Sequence, residues 1–304
     1  MMKKFLSLIL AAMLLLSVSA LADEVVIKAS APSGAPALAL ATLAVENPDN
    51  YTFVAAETIS AEFVNQNSDF IIAPLNAGAK LYKMGKSTYK LAAVVSWGNL
   101  FIASQKEGFT LEDLNGANVV LFGENTINAS VVRYALEQNN IVPASIEYLA
   151  SAANTQSLLL TDANTIVVTA EPALTAAKMK NSAITAYAVN DLYKAATGYE
   201  GYTQAALFVK AETAEKYPEA VAAYLLAVEE SCAKASADVE AVANAAVALE
   251  ILPNAKVALS AIPGCSIRFV SALEAKEQVE ATANIDLTQF GGALPADDFY
   301  YGAE

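Results

Sequence analysis

The chain has 304 residues, a formal net charge of −14, no histidine and a hydrophobic fraction of 55%. That apolar content excludes an intrinsically disordered protein, and the acidic excess disfavours nucleic acid and anionic lipid as partners. The missing imidazole removes Ser-His-Asp and Cys-His nucleophilic catalysis and the commonest metal ligand, and two cysteines without histidine argue against a zinc site.

In chain order, Lys3 and Lys4 precede an apolar run from Phe5 to Val18, and Ala20-Leu21-Ala22 then supplies small residues. This is the pattern of a secretory signal peptide over 1–22, and the run is shorter than the ~20 residues of a membrane span. No cysteine lies near the cleavage point to carry a lipid. An exported mature chain, 23–304, is expected, periplasmic or extracellular and not a lipoprotein.

Residues 25–29 read as a first strand, 35–45 as a helix and 51–56 as a second strand. A helix starting near Ser60 and a strand over 70–73 follow. Residues 91–104 form a longer β-rich run, interrupted by Trp97-Gly98-Asn99. Thr110-Leu-Glu-Asp-Leu-Asn-Gly116 is a capped helical turn ending at a glycine, and the first crossing between lobes is expected there. The next strands are 119–122, 146–149 and 165–169, with helices over 128–138 and 155–160. Residues 205–210 read as a strand that crosses back. Helical patterns then cover 211–235 with a break near Pro218, 238–249, 256–261 and 271–283. The tail over 291–301 has turn signals and aromatics but no period.

Two stretches of this chain are written twice. Asp69-Phe-Ile-Ile-Ala-Pro-Leu-Asn-Ala-Gly-Ala-Lys80 recurs as Val167-Val-Thr-Ala-Glu-Pro-Ala-Leu-Thr-Ala-Ala-Lys178, with Pro74 and Pro172 98 residues apart. Val25-Val-Ile-Lys-Ala-Ser-Ala-Pro-Ser-Gly-Ala-Pro36 is echoed about 94 residues later by Asn118-Val-Val-Leu-Phe-Gly-Glu-Asn-Thr-Ile-Asn-Ala129, a spacing that marks an internal duplication. Each copy is a short apolar strand, a polar turn and a helix start. The expectation is an α/β protein of two similar lobes: 23–104 as the first part of lobe one, 105–204 as lobe two, and 205–304 as a return to lobe one with C-terminal helices.

In such sheets ligands bind beyond the carboxyl ends of the strands, so two lobes imply one cleft between them. Ser33-Gly34, Asn76-Ala77-Gly78, Asn125-Thr126 and Asn128 fall at predicted helix starts, where N–H groups and the helix dipole favour anionic or acceptor groups. Plain N-capping explains any one of them. Their recurrence at equivalent places in both halves carries the binding expectation. Trp97 stacks on a ligand or closes the cleft in one reading, and is a buried core residue in the other. Asn99 follows it in the same strand break and joins the expected cleft set.

Glu171 and Glu124 lie at strand ends, placed to receive an amine, with a solvated carboxylate as the alternative. Glu171 is taken as a cleft residue. Carboxylates alone serve glycosidases, but binding explains Glu57, Glu124 and Glu171 equally well, so no catalytic residue, cofactor or metal is expected. The only arginines, Arg133 and Arg268, fall in no cleft turn, so a bidentate clamp on an oxyanion is not expected. Cys232 and Cys265 either form a disulfide closing a loop of about 34 residues, worth ~4 kcal/mol, or remain two buried thiols.

Several segments together resemble the solute-binding components of ABC importers with the type II periplasmic-binding-protein fold. They are Ala31-Pro-Ser-Gly34, Asp69-Phe-Ile-Ile-Ala-Pro-Leu-Asn76, Leu111-Glu-Asp-Leu-Asn-Gly116, Glu171-Pro172, Tyr217-Pro-Glu-Ala-Val-Ala222, Ala261-Ile-Pro-Gly-Cys265 and the Gly291–Tyr301 ending. Within that group the chain looks like the nitrate/sulfonate/taurine and thiamine-precursor class. The resemblance implies that lobe one takes the C-terminal helices, that a monomer closes over a small-molecule solute, and that the closed form is presented to a membrane permease. A sensor or chemoreceptor is the alternative partner. Two departures stand out: many relatives are lipoproteins and this chain lacks the lipid-bearing cysteine, and relatives often carry a Gly-rich segment where this chain reads Gly123-Glu-Asn-Thr126. A related enzyme branch makes the thiamine pyrimidine using histidine, absent here.

Overall fold

The computed structural model describes residues 25–303. The expected cleavage point at Ala22 lies outside the described residues. Strands β1 (Ala29–Pro32), β2 (Tyr51–Val54), β3 (Phe70–Pro74) and β4 (Tyr89–Ser96) enter a first sheet. Strands β5 (Leu100–Ser104), β6 (Asn118–Phe122), β7 (Ser145–Leu149), β8 (Ile166–Ala170) and β9 (Thr185–Ala188) form a second. Then β10 (Ala205–Lys210) and β11 (Ile267–Ser271) return to the first.

The strand orders are β11-β4-β10-β3-β1-β2 and β7-β6-β8-β5-β9. With the edge strand β11 set aside, both follow one plan. Leaving out one inserted strand in each sheet, the first three strands are parallel, in the order second, first, third. Beside the third lies an inserted antiparallel strand, β10 in one sheet and β5 in the other, and the fourth strand lies beyond it. The duplicated stretches occupy matching places: one echo gives β3 and β8, the other β1 and β6. This is the two-lobed α/β architecture expected from the repeats.

Each inserted strand comes from the chain as it leaves the other sheet. After β4, only Trp97-Gly98-Asn99 separates it from β5, which already pairs with β8 and β9. The chain therefore changes sheet at 97–99, earlier than the 110–116 turn where the crossing was expected. Residues 100–104 go with the second sheet, not with the first part of lobe one. Gly98, at φ 81°, makes the turn that splits the run, at the Trp97-Gly98-Asn99 interruption, and the similar apolar character on both sides of it hid the handover. The 110–116 segment is a 3₁₀ turn, Leu111–Leu114, with the Thr110/Asp113 capping box its sequence foretold.

The central strands were legible for a physical reason. Residues Phe70–Ala73 of β3 and all of β8 are buried, and strands covered on both faces read as unbroken apolar runs. The edge strands β9 and β11 are mostly half-buried, carry no such run and were not anticipated. Helix Pro218–Ala237 packs on the 3₁₀ turn Ala35–Leu40 and on β11, and helices Val239–Ala248 and Ala255–Ala261 pack beside one another on the same lobe. The last long helix, Ala272–Ile285, touches β4 of one lobe and helix Ile127–Gln138 of the other.

Cys232 and Cys265 are both buried in the first lobe and are free thiols, so the disulfide alternative is not formed. Burial pushes the Cys232 thiol up to about 12. Burial, and then the nearby Glu171 charge, also raises Cys265.

The two crossings touch where the sheets meet. A Cβ on Gly201 would lie 2.2 Å from the Trp97 carbonyl oxygen, and one on Gly98 would lie 2.4 Å from the Tyr202 ring. Asn190 Nδ2 donates to the carbonyls of Trp97 and Gly98, at 2.8 and 3.1 Å, and fixes this juncture. Because backbone cannot swing aside as a side chain does, Gly201→Ala is expected to cost about 1–3 kcal/mol. Urea unfolding should show a lower midpoint, and an unchanged midpoint would mean the crossings are not tightly packed.

Candidate functional site

The turns that leave β1, β3 and β6 converge on a cavity of about 310 Å³ between the two sheets. After β1, Ser33 N donates to Val54 O at 2.8 Å, and Gly34, at φ 103°, turns the chain into the 3₁₀ segment. After β3, helix Leu75–Lys83 starts directly behind Pro74 with no side chain capping it, and Leu75 N donates to Gln204 O at 3.0 Å. After β6, Asn125 takes a left-handed conformation, which asparagine tolerates better than most residues. Thr126 then caps helix Ile127–Gln138. Its hydroxyl donates to Gly123 O at 2.7 Å and accepts from Ala129 N at 3.3 Å.

Five of the expected residues line this cavity together: Ser33 and Asn76 from the first lobe, Asn125, Thr126 and Asn128 from the second. Gly34 shapes the turn beside Ser33 without lining the cavity. Trp97 is not a cavity residue. It is buried, its Nε1 donates to Arg268 O at 2.8 Å, and the Arg268 guanidinium lies 4.4 Å from the ring centroid. The core alternative for Trp97 is the one the structure takes, with a cation–π contact added.

Asn99 sits behind the cavity wall. Its Nδ2 donates to Glu171 O, and its Oδ1 accepts from Gln204 Nε2, both at 3.0 Å. Glu171 opens instead on a separate hollow of about 440 Å³, shared with Lys178, Ser260 and Gly264. There its carboxylate accepts from Thr175 N at 3.1 Å and Thr175 Oγ1 at 2.8 Å. Glu124 is exposed and lines neither space.

Two polar cavity residues, Gln204 and Gln289, carried no weight in the sequence reading. Gln204 immediately precedes β10, as Asn99 immediately precedes β5, so the two amides are twins of the duplication and hydrogen-bond to each other. That symmetry was the available signal. Gln204 Oε1 also accepts from Ser96 Oγ at 3.2 Å. Tyr202, kept protonated because burial raises its phenol, donates to Asn128 Oδ1 at 3.1 Å. Gln289 reaches in from the C-terminal tail and donates to Asn125 O at 3.0 Å. No local pattern marks it.

None of the residues lining the cavity is ionisable. Its walls are amides, hydroxyls, the prolines Pro32, Pro36 and Pro74, and small or branched aliphatic groups. Such a space can hold a small molecule by hydrogen bonds and apolar contact, and it contains neither an acid–base pair nor a nucleophile with its base. Among the described residues, no group of three or more Asp, Glu or Cys side chains is placed to hold a metal ion.

No family model matches this chain, and no curated protein does. Solved structures do match over nearly all of it. An ABC transporter structure from Parabacteroides distasonis is 24% identical, with a TM-score of 0.78, covering 92% of this chain and 99% of that one. The periplasmic aliphatic sulphonate binding protein SsuA from Escherichia coli is 17% identical, with a TM-score of 0.69, covering 91% and 92%. A Candida albicans protein with the generic periplasmic binding protein fold is 12% identical, with a TM-score of 0.53, covering 90% and 93%. The chain therefore has the two-lobed periplasmic-binding-protein fold. No helix among the described residues is long and apolar enough to cross a membrane.

Glu171 gives a pH-dependent prediction. Burial raises its carboxyl above the ordinary range, partly offset by the Thr175 hydrogen bonds and the Lys178 charge. A carboxyl raised in the folded state contributes stability below its unfolded pKa and loses that contribution as pH rises through its folded value. Glu171→Gln keeps an acceptor for Thr175 and cannot ionise. It should raise the thermal midpoint near pH 7 and leave it unchanged near pH 4. Equal effects at both pH values would show that ionisation is not the cause.

Proposed function

We propose that this chain is the extracytoplasmic solute-binding component of an ABC importer. It captures a small molecule in the cleft between its lobes and delivers it to a membrane permease, acting as a non-enzymatic monomer exported by the segment 1–22. The observation that carries this reading is the cavity itself, assembled from equivalent strand-to-helix turns of two sheets with one topology. Such a site is complete only when both lobes face each other. Hinge closure around a ligand follows from that construction. The fold neighbours support the same reading, since they include an ABC transporter structure and a periplasmic sulphonate-binding protein.

Lobe closure must bend the two crossings, and Trp97 lies in one of them. A solute that drives closure is expected to change the emission of this lone tryptophan and to raise the thermal midpoint. The stabilisation should reach about 2.7 kcal/mol at a hundredfold excess over Kd. Asn76→Ala removes a cavity amide without touching the crossings, and should weaken solute binding about tenfold with little change in the unliganded midpoint. Titration by calorimetry on both proteins tests this. Equal affinities would remove the cavity from the binding site.

A further inference from the structure

Resting on the solute-binding reading, we infer that the C-terminal turn Leu287–Phe290 is a latch on the cleft. Gln289 is its positioning residue, holding the two walls of the cavity together when no solute is bound. The turn belongs to the first lobe by its contacts. It packs on helix Leu75–Lys83, and Phe290 is buried. Beyond it, Tyr82 Oη donates to Asp298 Oδ2 at 3.1 Å, and Tyr301 N donates to Leu91 O at 2.7 Å. The Phe299 ring centroid lies 5.3 Å from that of Tyr82 and 6.1 Å from that of Phe208. A motion that parts the lobes therefore carries this turn with the first.

From this anchored turn, two side chains reach the second lobe. Asp286 Oδ1 caps the turn by accepting from Thr288 N at 3.1 Å, and its Oδ2 accepts from Ser130 Oγ of helix Ile127–Gln138 at 2.7 Å. Burial works against the Asp286 charge, but the hydrogen bonds from Thr288 and Ser130 and the Arg133 charge outweigh it and hold the carboxyl below its ordinary range. One ionised carboxylate thus shapes the turn and docks it. Gln289 Nε2 then donates to Asn125 O at 3.0 Å. Contacts at the crossings, such as Thr203 N with Thr282 Oγ1, lie where the lobes hinge and need not break on opening. Gln289 and Asn125 differ, because both line the cavity and neither belongs to a crossing. A hydrogen bond is lost beyond about 3.5 Å, so even a small parting of the cavity walls breaks this one. Its worth as one net hydrogen bond sets a shift of about fivefold toward the closed form in the empty protein.

The test uses the purified protein expressed from the full chain, dialysed free of solute, with spin labels on Glu57→Cys in the first lobe and Ala153→Cys in the second. Both positions are exposed and follow the carboxyl ends of β2 and β7, whereas the native cysteines are buried. Pulsed dipolar spectroscopy then gives the distribution of distances across the cleft. Gln289→Ala and Gln289→Glu are compared with the labelled parent. The glutamate keeps the length and shape of the side chain but faces the Asn125 carbonyl with a carboxylate instead of a donor, so a role in packing alone would survive it. Both variants should move population to longer distances and raise the open-to-closed ratio about fivefold. A distribution that superimposes on the parent's for either variant overturns the inference, and so does a parent that is already fully open. Because no solute enters the measurement, such a result leaves the solute-binding reading standing, and a failed solute titration would leave the latch standing.

Discussion

The passage of the two inter-sheet crossings past each other is the constraint on which the rest of this molecule depends. Residues 97–99 and 201–204 run in close contact, and at Gly98 and Gly201 a side chain would collide with the opposing strand of chain. Each crossing then delivers its amide, Asn99 or Gln204, to the head of the strand inserted into the other sheet. The two amides bond to each other, and through them the wall of the cavity is tied to Ser96 in one lobe and to the Glu171 carbonyl in the other. Motion of one lobe against the other has to pass through this small, well-bonded region.

A second tie keeps the lobes in register. Helix Ala272–Ile285 and the turn after it belong by sequence to the C-terminal region, but Asp286 accepts from Ser130 Oγ at 2.7 Å and Gln289 donates to Asn125 O. Thr282 accepts from Thr203 N at the return crossing, at 3.2 Å. The C-terminal helix thus lies against the juncture and touches the second-lobe turn that lines the cavity. This arrangement makes the Asn125 turn, already left-handed, dependent on a residue more than half the chain away.

The cavity is polar without being charged, since none of its lining side chains is ionisable. Its polar groups are amides and hydroxyls already partly engaged with one another and with neighbouring backbone. The buried carboxylate at Glu171 belongs to a different hollow, where it meets Thr175 and Lys178 instead of cavity residues.

The sequence by itself determined the two-lobed α/β plan, because buried central strands must be unbroken apolar runs and because the duplication repeated β1 with β6 and β3 with β8. It also determined which turns would line a cleft: Ser33, Asn76, Asn125, Thr126 and Asn128 all follow the first or third strand of a sheet, where the architecture places ligands. Only the tertiary structure decided the rest. Apolar residues 91–104 read the same whether they fill one sheet or two, and only strand pairing shows the handover at Gly98. Trp97 and Glu171 fit cleft or core equally well by residue type, and the partner that settles Trp97, Arg268, comes from a strand 171 residues away that local periodicity cannot bring to it. Cys232 and Cys265 are separate thiols because packing, not spacing, sets the distance between side chains. Gln204 and Gln289 reach the cavity through a crossing and a tail, and such long-range placement leaves no local mark in the chain.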